Sequence, residues 1–112
     1  MATPVLKKYF ETFTTDSLGQ IDLTGILNVK SHNIVALELS QFPVTPGVAM
    51  SAECDMGVIS GSTLASTVAQ FPLGNGASPI KTFNVTGPEF RVVLTGGPAN
   101  TPVPIQGWVF LK

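Results

Sequence analysis

The most regular signal along the chain is an alternation of apolar and polar residues with a period of two. In GVAMSAECDM, Val48, Met50, Ala52, Cys54 and Met56 fall on one face of an extended chain, with Ala49, Ser51, Glu53 and Asp55 on the other. Successive strand side chains point to opposite sides, so this is a strand that buries one face and wets the other. NIVALELS repeats the pattern with Val35, Leu37 and Leu39 against Ala36, Glu38 and Ser40, and FRVVLT with Phe90, Val92 and Leu94 against Arg91, Val93 and Thr95. Weaker strand candidates run over Lys7 to Phe13, Gln20 to Leu23, Ile26 to Val29 and Ile80 to Val85, and a last one over Ile105 to Leu111.

One stretch is ambiguous. Leu64, Val68 and Phe71 recur at helical spacing with Ser62 in reach of an N-cap, yet Thr63, Thr67 and Val68 are β-branched and favour an extended chain. It is read as a strand, with a short helix over Ser62 to Phe71 as the alternative. Between the apolar runs stand SLGQ, KSHN, FPVTPG, LGNGASP, TGP and TGGPANTPVP, turn-forming segments at fairly regular intervals. That spacing belongs to a sandwich or barrel, since a βαβ chain would place helices between its strands. The expected fold is a single domain over residues 1–112: an antiparallel β-sandwich of about eight strands, jelly-roll-like, with an immunoglobulin-like sandwich as the alternative.

Composition sharpens this picture. The chain is 44% hydrophobic but only 12% charged, about half the charged fraction usual in soluble domains. Its surface must therefore be polar without being ionic. Lys7, Lys8, Lys30, Lys81, Arg91 and Lys112 are scattered and build no basic stripe, so nucleic acid is not an expected partner. No apolar run reaches the ~18 residues that would span a bilayer, and MATPVLKKYFETF has no apolar h-region of a signal peptide. The expectation is a protein that is cytoplasmic as translated or part of a particle, with no membrane partner.

Catalytic chemistry has few residues to stand on. His32 is the sole histidine and sits in the turn-like KSHN, where it is expected to be exposed. The single cysteine, Cys54, lies on the apolar face of its strand, where a thiol packs as a small hydrophobe. Glu53 and Asp55 share the outer face of one strand, without the facing geometry of a glycosidase pair. Asp16 and Asp22 flank a turn that could lend carbonyls to calcium, but no known ligand spacing is present. The Asn84–Thr86 triplet has the form of a glycosylation acceptor. No catalytic residue, metal site or cofactor is expected, and the protein is read as a non-enzyme.

Attention falls on the closing segment, FRVVLTGGPANTPVPIQGWVFLK. Its connector combines glycines that permit positive φ with prolines that fix φ, and Gly96, Gly97, Asn100 and Thr101 are its candidate contact residues. The strand that follows is apolar on both faces, with Ile105, Val109 and Leu111 on one and Trp108 and Phe110 on the other beside Gln106. A strand like that is covered on both sides, by a second layer or by another chain. No charge occurs between Asp55 and Lys81, or between Arg91 and Lys112. These features favour a homo-oligomer in which a final hairpin takes part, with Trp108 and Phe110 joined by Arg91 and Val93 of the preceding strand as interface candidates. The functional expectation is a non-catalytic structural or assembly protein. A carbohydrate-binding, lectin-like module is the alternative, in which Trp108 or Tyr9 would stack on a sugar ring.

Overall fold

The structure, a computed structural model, describes residues 3–41, 49–60, 65–75 and 79–112. The described residues form ten strand segments: β1 (Val5–Thr14), β2 (Ile21–Asp22), β3 (Leu27–Asn28), β4 (Ile34–Gln41), β5 (Ser51–Gly57), β6 (Ser66–Pro72), β7 (Gly74–Asn75), β8 (Lys81–Asn84), β9 (Glu89–Thr95) and β10 (Pro102–Leu111). No described helix is long and apolar enough to cross a membrane. The ambiguous stretch is strand from Ser66 onward, while Ser62 to Leu64 lie outside the described residues.

Two sheets form. In the first, β10 lies between β1 and β4, and the far edge of β4 takes β8 antiparallel and the two-residue β7 parallel. In the second, β9 lies between the short β2 and β3 on one side and β5 on the other, and β6 completes the far edge. Taking β2 and β3 as one interrupted strand and setting β7 aside, the strands pair first with last, second with seventh, third with sixth and fourth with fifth. Such nesting is one long antiparallel hairpin, turned near Ile59 and wrapped into two layers. It is a jelly roll, and it differs from the immunoglobulin order, in which one sheet holds strands A, B, E and D.

The wrapping overturns one expectation. Strands β9 and β10 are adjacent in sequence but lie in opposite sheets, so the segment between them crosses from layer to layer and no final hairpin exists. Each of the two strands has an apolar row to bury, Phe90, Val92 and Leu94 on β9 and Val103, Ile105, Val109 and Leu111 on β10. Facing each other across the sandwich buries both rows at once, at the ~10 Å separation of packed sheets. Val35, Leu37 and Leu39 of β4 and Ala52 and Cys54 of β5 complete the same core, each with 0% exposure. The alternating strands therefore keep the faces that their sequence assigns them.

His32 departs from expectation as well. It is buried, at 9% exposure, and its Nδ1 has no hydrogen-bond partner among the described residues. The KSHN turn folds back onto the sandwich: the His32 amide donates to Val29 O, and the Asn33 and Ile34 amides both donate to Lys112 O. Within this bonded turn Lys30, Ser31 and Asn33 remain exposed and only His32 is turned inward.

Register along β10 depends on Gly107. It sits opposite Tyr9 and Leu39 with φ of 152°, and a Cβ there would overlap Glu38 O and come within 2.9 Å of Leu39 Cα. A side chain at this point would force β10 and β4 apart or reshape the backbone. Gly107→Ala is expected to destabilise the fold by at least about 2 kcal/mol, the scale of strain at a disallowed φ plus a backbone clash. A urea-unfolding midpoint equal to wild type would contradict this account of the pairing.

Candidate interaction face

The first sheet turns an apolar face outward. Antiparallel register places Leu6 beside Phe110 and Ala36, Lys8 beside Trp108 and Glu38, and Phe10 beside Gln106 and Ser40. Cross-strand neighbours sit about 5 Å apart, so the large side chains of adjoining rows meet. They line an open groove of about 560 Å3 whose apolar and aromatic walls are Leu6, Tyr9, Phe10, Trp108 and Phe110. Phe10 is 83% and Leu6 52% exposed, whereas Trp108 and Phe110 are half-buried between their neighbours. Among the described residues, Lys8 and Glu38 are the only charged ones lining the groove.

The second sheet has the opposite character. On its outer face Arg91 pairs with Asp55 at 3.1 Å, and Asp55 also accepts from Thr67 Oγ1 at 3.0 Å. Asp55 is buried beneath these partners at a bulge where β6 slips past β5 between Cys54 and Asp55. Val93 lies next to Asp22 and Glu53 in the flanking strands. The four interface candidates therefore divide: Trp108 and Phe110 belong to the apolar face of one sheet, Arg91 and Val93 to the charged face of the other. Leu6 and Phe10 were not singled out in the sequence because β1 carries lysines on both of its faces, which hides the side that alternation would otherwise reveal.

The connector after β9 is held by its own backbone. Gly97 N donates to Gly19 O, Asn100 N donates to Asp16 O, and Thr15 and Thr101 are joined by Thr15 N to Thr101 O and Thr101 N to Thr15 Oγ1. Thr15 Oγ1 in turn donates to Pro98 O at 2.6 Å. Gly96 and Asn100 adopt positive φ, and Gly97 packs against Thr15 and Met50. The loop bearing Gly96, Gly97, Asn100 and Thr101 is thus strapped to the Asp16–Gln20 turn and closes one end of the sandwich.

Carboxylates are largely committed to turns. Asp16 accepts from the amides of Leu18 and Gln20, and Asp22 from that of Gly25. No group of three or more His, Cys, Asp or Glu side chains that could hold a metal exists among the described residues. Glu89 accepts the Ile59 and Ser60 amides and the Ser60 hydroxyl, and these bonds, led by those from Ser60, hold its carboxyl below the ordinary 4.5. Cys54 is fully buried, and burial, then Asp55 and Glu53, push its thiol up to about 12.

No protein-family model matches the chain, and no curated protein does. Solved structures share its fold. One from Bacillus endospore appendages, described as a family of disulfide-linked pili, aligns at a TM-score of 0.56 and 15% identity over 98% of this chain and 88% of that one. The Yersinia pseudotuberculosis-derived mitogen aligns at 0.54 and 9% identity over 97% and 85%. A chain of the IBDV viral particle aligns at 0.55 and 14% identity over 96% of this chain but 30% of its own length. At such identities the likeness is one of architecture.

Two outcomes follow from the buried and bonded groups. Native Cys54 should resist thiol reagents at neutral pH until the protein unfolds, and Cys54→Ser should cost about 1–3 kcal/mol for an unsatisfied buried hydroxyl. Rapid labelling of the native protein would show that the core is open there. Because the folded Glu89 pKa is depressed, its stabilising contribution is present above the unfolded value and is lost as pH falls through the folded one. The stability gap between wild type and Glu89→Gln should therefore shrink between about pH 6 and about pH 3. A gap that stays constant in urea titrations at the two pH values would remove the carboxylate's role.

Proposed function

We propose that this protein is a non-catalytic structural or assembly subunit that associates with copies of itself through the apolar outer face of the β1–β10–β4 layer. The observation that carries the reading is the contrast between the two outer faces. One sheet covers its outside with Arg91, Asp55, Glu53 and Asp22, while the other leaves Leu6, Phe10, Trp108 and Phe110 around an open groove. Exposed, contiguous apolar surface of this kind marks interaction sites, and interface centres are enriched in Trp and Phe and depleted in charge. Association removes that surface from water without any new chemistry.

The structural neighbours add support of a coarser kind. Pili and viral particles are built from repeated subunits, and both supply counterparts to this fold. A mitogen shares it too, so architecture by itself does not assign the role. The groove brings Trp108 and Tyr9 beside Gln106, Lys8 and Glu38, so its aromatic walls do not by themselves separate a subunit contact from a carbohydrate site, and the contrast with the charged second sheet is what favours self-association. The same absence of any catalytic arrangement in the sequence underlies the reading as a non-enzyme.

Light scattering during size-exclusion chromatography at micromolar concentration tests the proposal. Wild type is expected to run as an oligomer and Trp108→Glu as a folded monomer. Trp108 is the sole tryptophan, so its fluorescence should shift to the red as wild type is diluted. A wild type of monomer mass at all accessible concentrations would overturn self-association. If a soluble glycan panel shifted Trp108 emission instead, the carbohydrate reading would replace it.

A further inference from the structure

Sheet edges are a hazard, because their unpaired amides and carbonyls recruit other strands, and proteins blunt them with short strands, bulges, prolines or charge. Three of the four edges here are blunted in that way. β8 has four residues, β2 and β3 two each, and β6 carries a bulge and ends at Pro72. β1 is different: ten residues long, it contains no proline, and its pairing with β10 runs without a register shift. Its side chains are mostly exposed.

The hydrogen-bond phase of β1 follows from two observations. Ile34 and Lys112 exchange both backbone bonds, which directs the even-numbered residues of β10 toward β4 and the odd-numbered ones toward β1. Thr15 N donating to Thr101 O has the same phase. Antiparallel bonding alternates along a strand. Leu6, Lys8, Phe10 and Thr12 therefore direct their amides and carbonyls away from β10, to the free edge.

We propose that this edge pairs antiparallel with the β1 strand of a second copy of the chain, centred on Tyr9 and setting Lys7 opposite the partner's Glu11. The inference deepens the self-association reading and rests on it. Only registers that match even residues to even residues use the free groups, so the two-fold axis must pass through a residue. With the axis at Tyr9, Val5 faces the partner's Phe13, Lys7 faces the partner's Glu11 and Tyr9 faces its own counterpart. On the other face, Leu6 meets the partner's Thr12 and Lys8 the partner's Phe10. Every pair is compatible, and two-fold symmetry makes the ion pair twice. Moving the axis to Lys8 sets lysine against lysine, and moving it to Phe10 sets Glu11 against Tyr9 and loses both ion pairs. The lysines that would otherwise guard this edge thus select one register for it. Pairing also covers Phe10, 83% exposed in the single chain, and joins the two apolar outer faces into one sheet surface.

A charge swap tests the proposal. Lys7→Glu and Glu11→Lys are each expected to weaken self-association by about tenfold, because two attractive cross-strand pairs become repulsive. The double variant Lys7→Glu with Glu11→Lys should recover wild-type affinity to within about threefold, since the pairs re-form with reversed polarity. In a second measurement, Tyr9→Cys should give a covalent dimer under mild oxidation, because residues on the axis lie within disulfide reach and Cys54 is buried. Circular dichroism confirms that each variant retains its strands. Singles with unchanged association, a double variant that is not rescued, or absence of the Tyr9→Cys cross-link would each overturn the β1 edge. If Trp108→Glu still dissociates the wild-type oligomer in that case, the assembly reading stands and only the edge is wrong. A wild type that is monomeric throughout sinks both.

Discussion

Strand β10 is hydrogen bonded along both edges, and the rest of the sandwich is arranged around that fact. Its odd residues bond the N-terminal strand and its even residues bond β4, so the last strand of the chain ties the first to the third of the nested hairpin. Pro102 and Pro104 are even-numbered, so the donors they lack point away from β1, whose bonds go to the odd-numbered residues of β10. Their missing donors therefore cost no bond to β1, an arrangement under which proline is tolerated in a sheet. Gly107 supplies the close approach to β4 that the register needs. With both edges occupied, β10 has no freedom to slip, and a shift by one residue would turn its buried row Val103, Ile105, Val109 and Leu111 to the outside.

The two faces that remain after folding are physically unlike. Beneath the second sheet's outer surface, Asp55 accepts from Thr67 and pairs with Arg91. A partly exposed ion pair of this sort adds little stability, but it keeps the surface wet. Among the described residues, the outer face of the first sheet has no comparable network. Its large side chains cover one another in part, which leaves Trp108 half-buried in the single chain and available to a partner. In the assembly role proposed above, the buried core and strapped loops would serve to hold that outer face in register.

Identities of 9–15% with pilus, mitogen and viral-particle structures fit the way this fold is encoded. Nested pairing and two apolar inner rows constrain the hydropathy pattern far more than the identity of each side chain. The outer faces are under no such constraint. They can diverge freely, which is why a shared sandwich carries so little functional information here.

Alternation identified β4, β5 and β9 with their buried faces, whereas the jelly-roll expectation rested on the number of strands and the spacing of turns, with an immunoglobulin-like sandwich left open. The burial of Cys54 was also legible, and so was the separation of Trp108 and Phe110 from the row of Ile105, Val109 and Leu111, because which side chains share a face follows from parity within a single strand. Which strands would become neighbours was not: β9 and β10 look like a hairpin in the sequence, yet they are separated because each must place its apolar row against the opposite layer. For the same reason Arg91 and Val93 parted from Trp108 and Phe110, and Leu6 and Phe10 joined them only once β1 was laid along β10. His32, expected to be exposed in its turn, lies buried where backbone bonds to Lys112 draw the start of β4 against the end of the chain. Periodicity is a local property and is written in the order of residues, whereas proximity across a sheet depends on which partner each edge finds, and that is settled only when the whole chain buries its rows together.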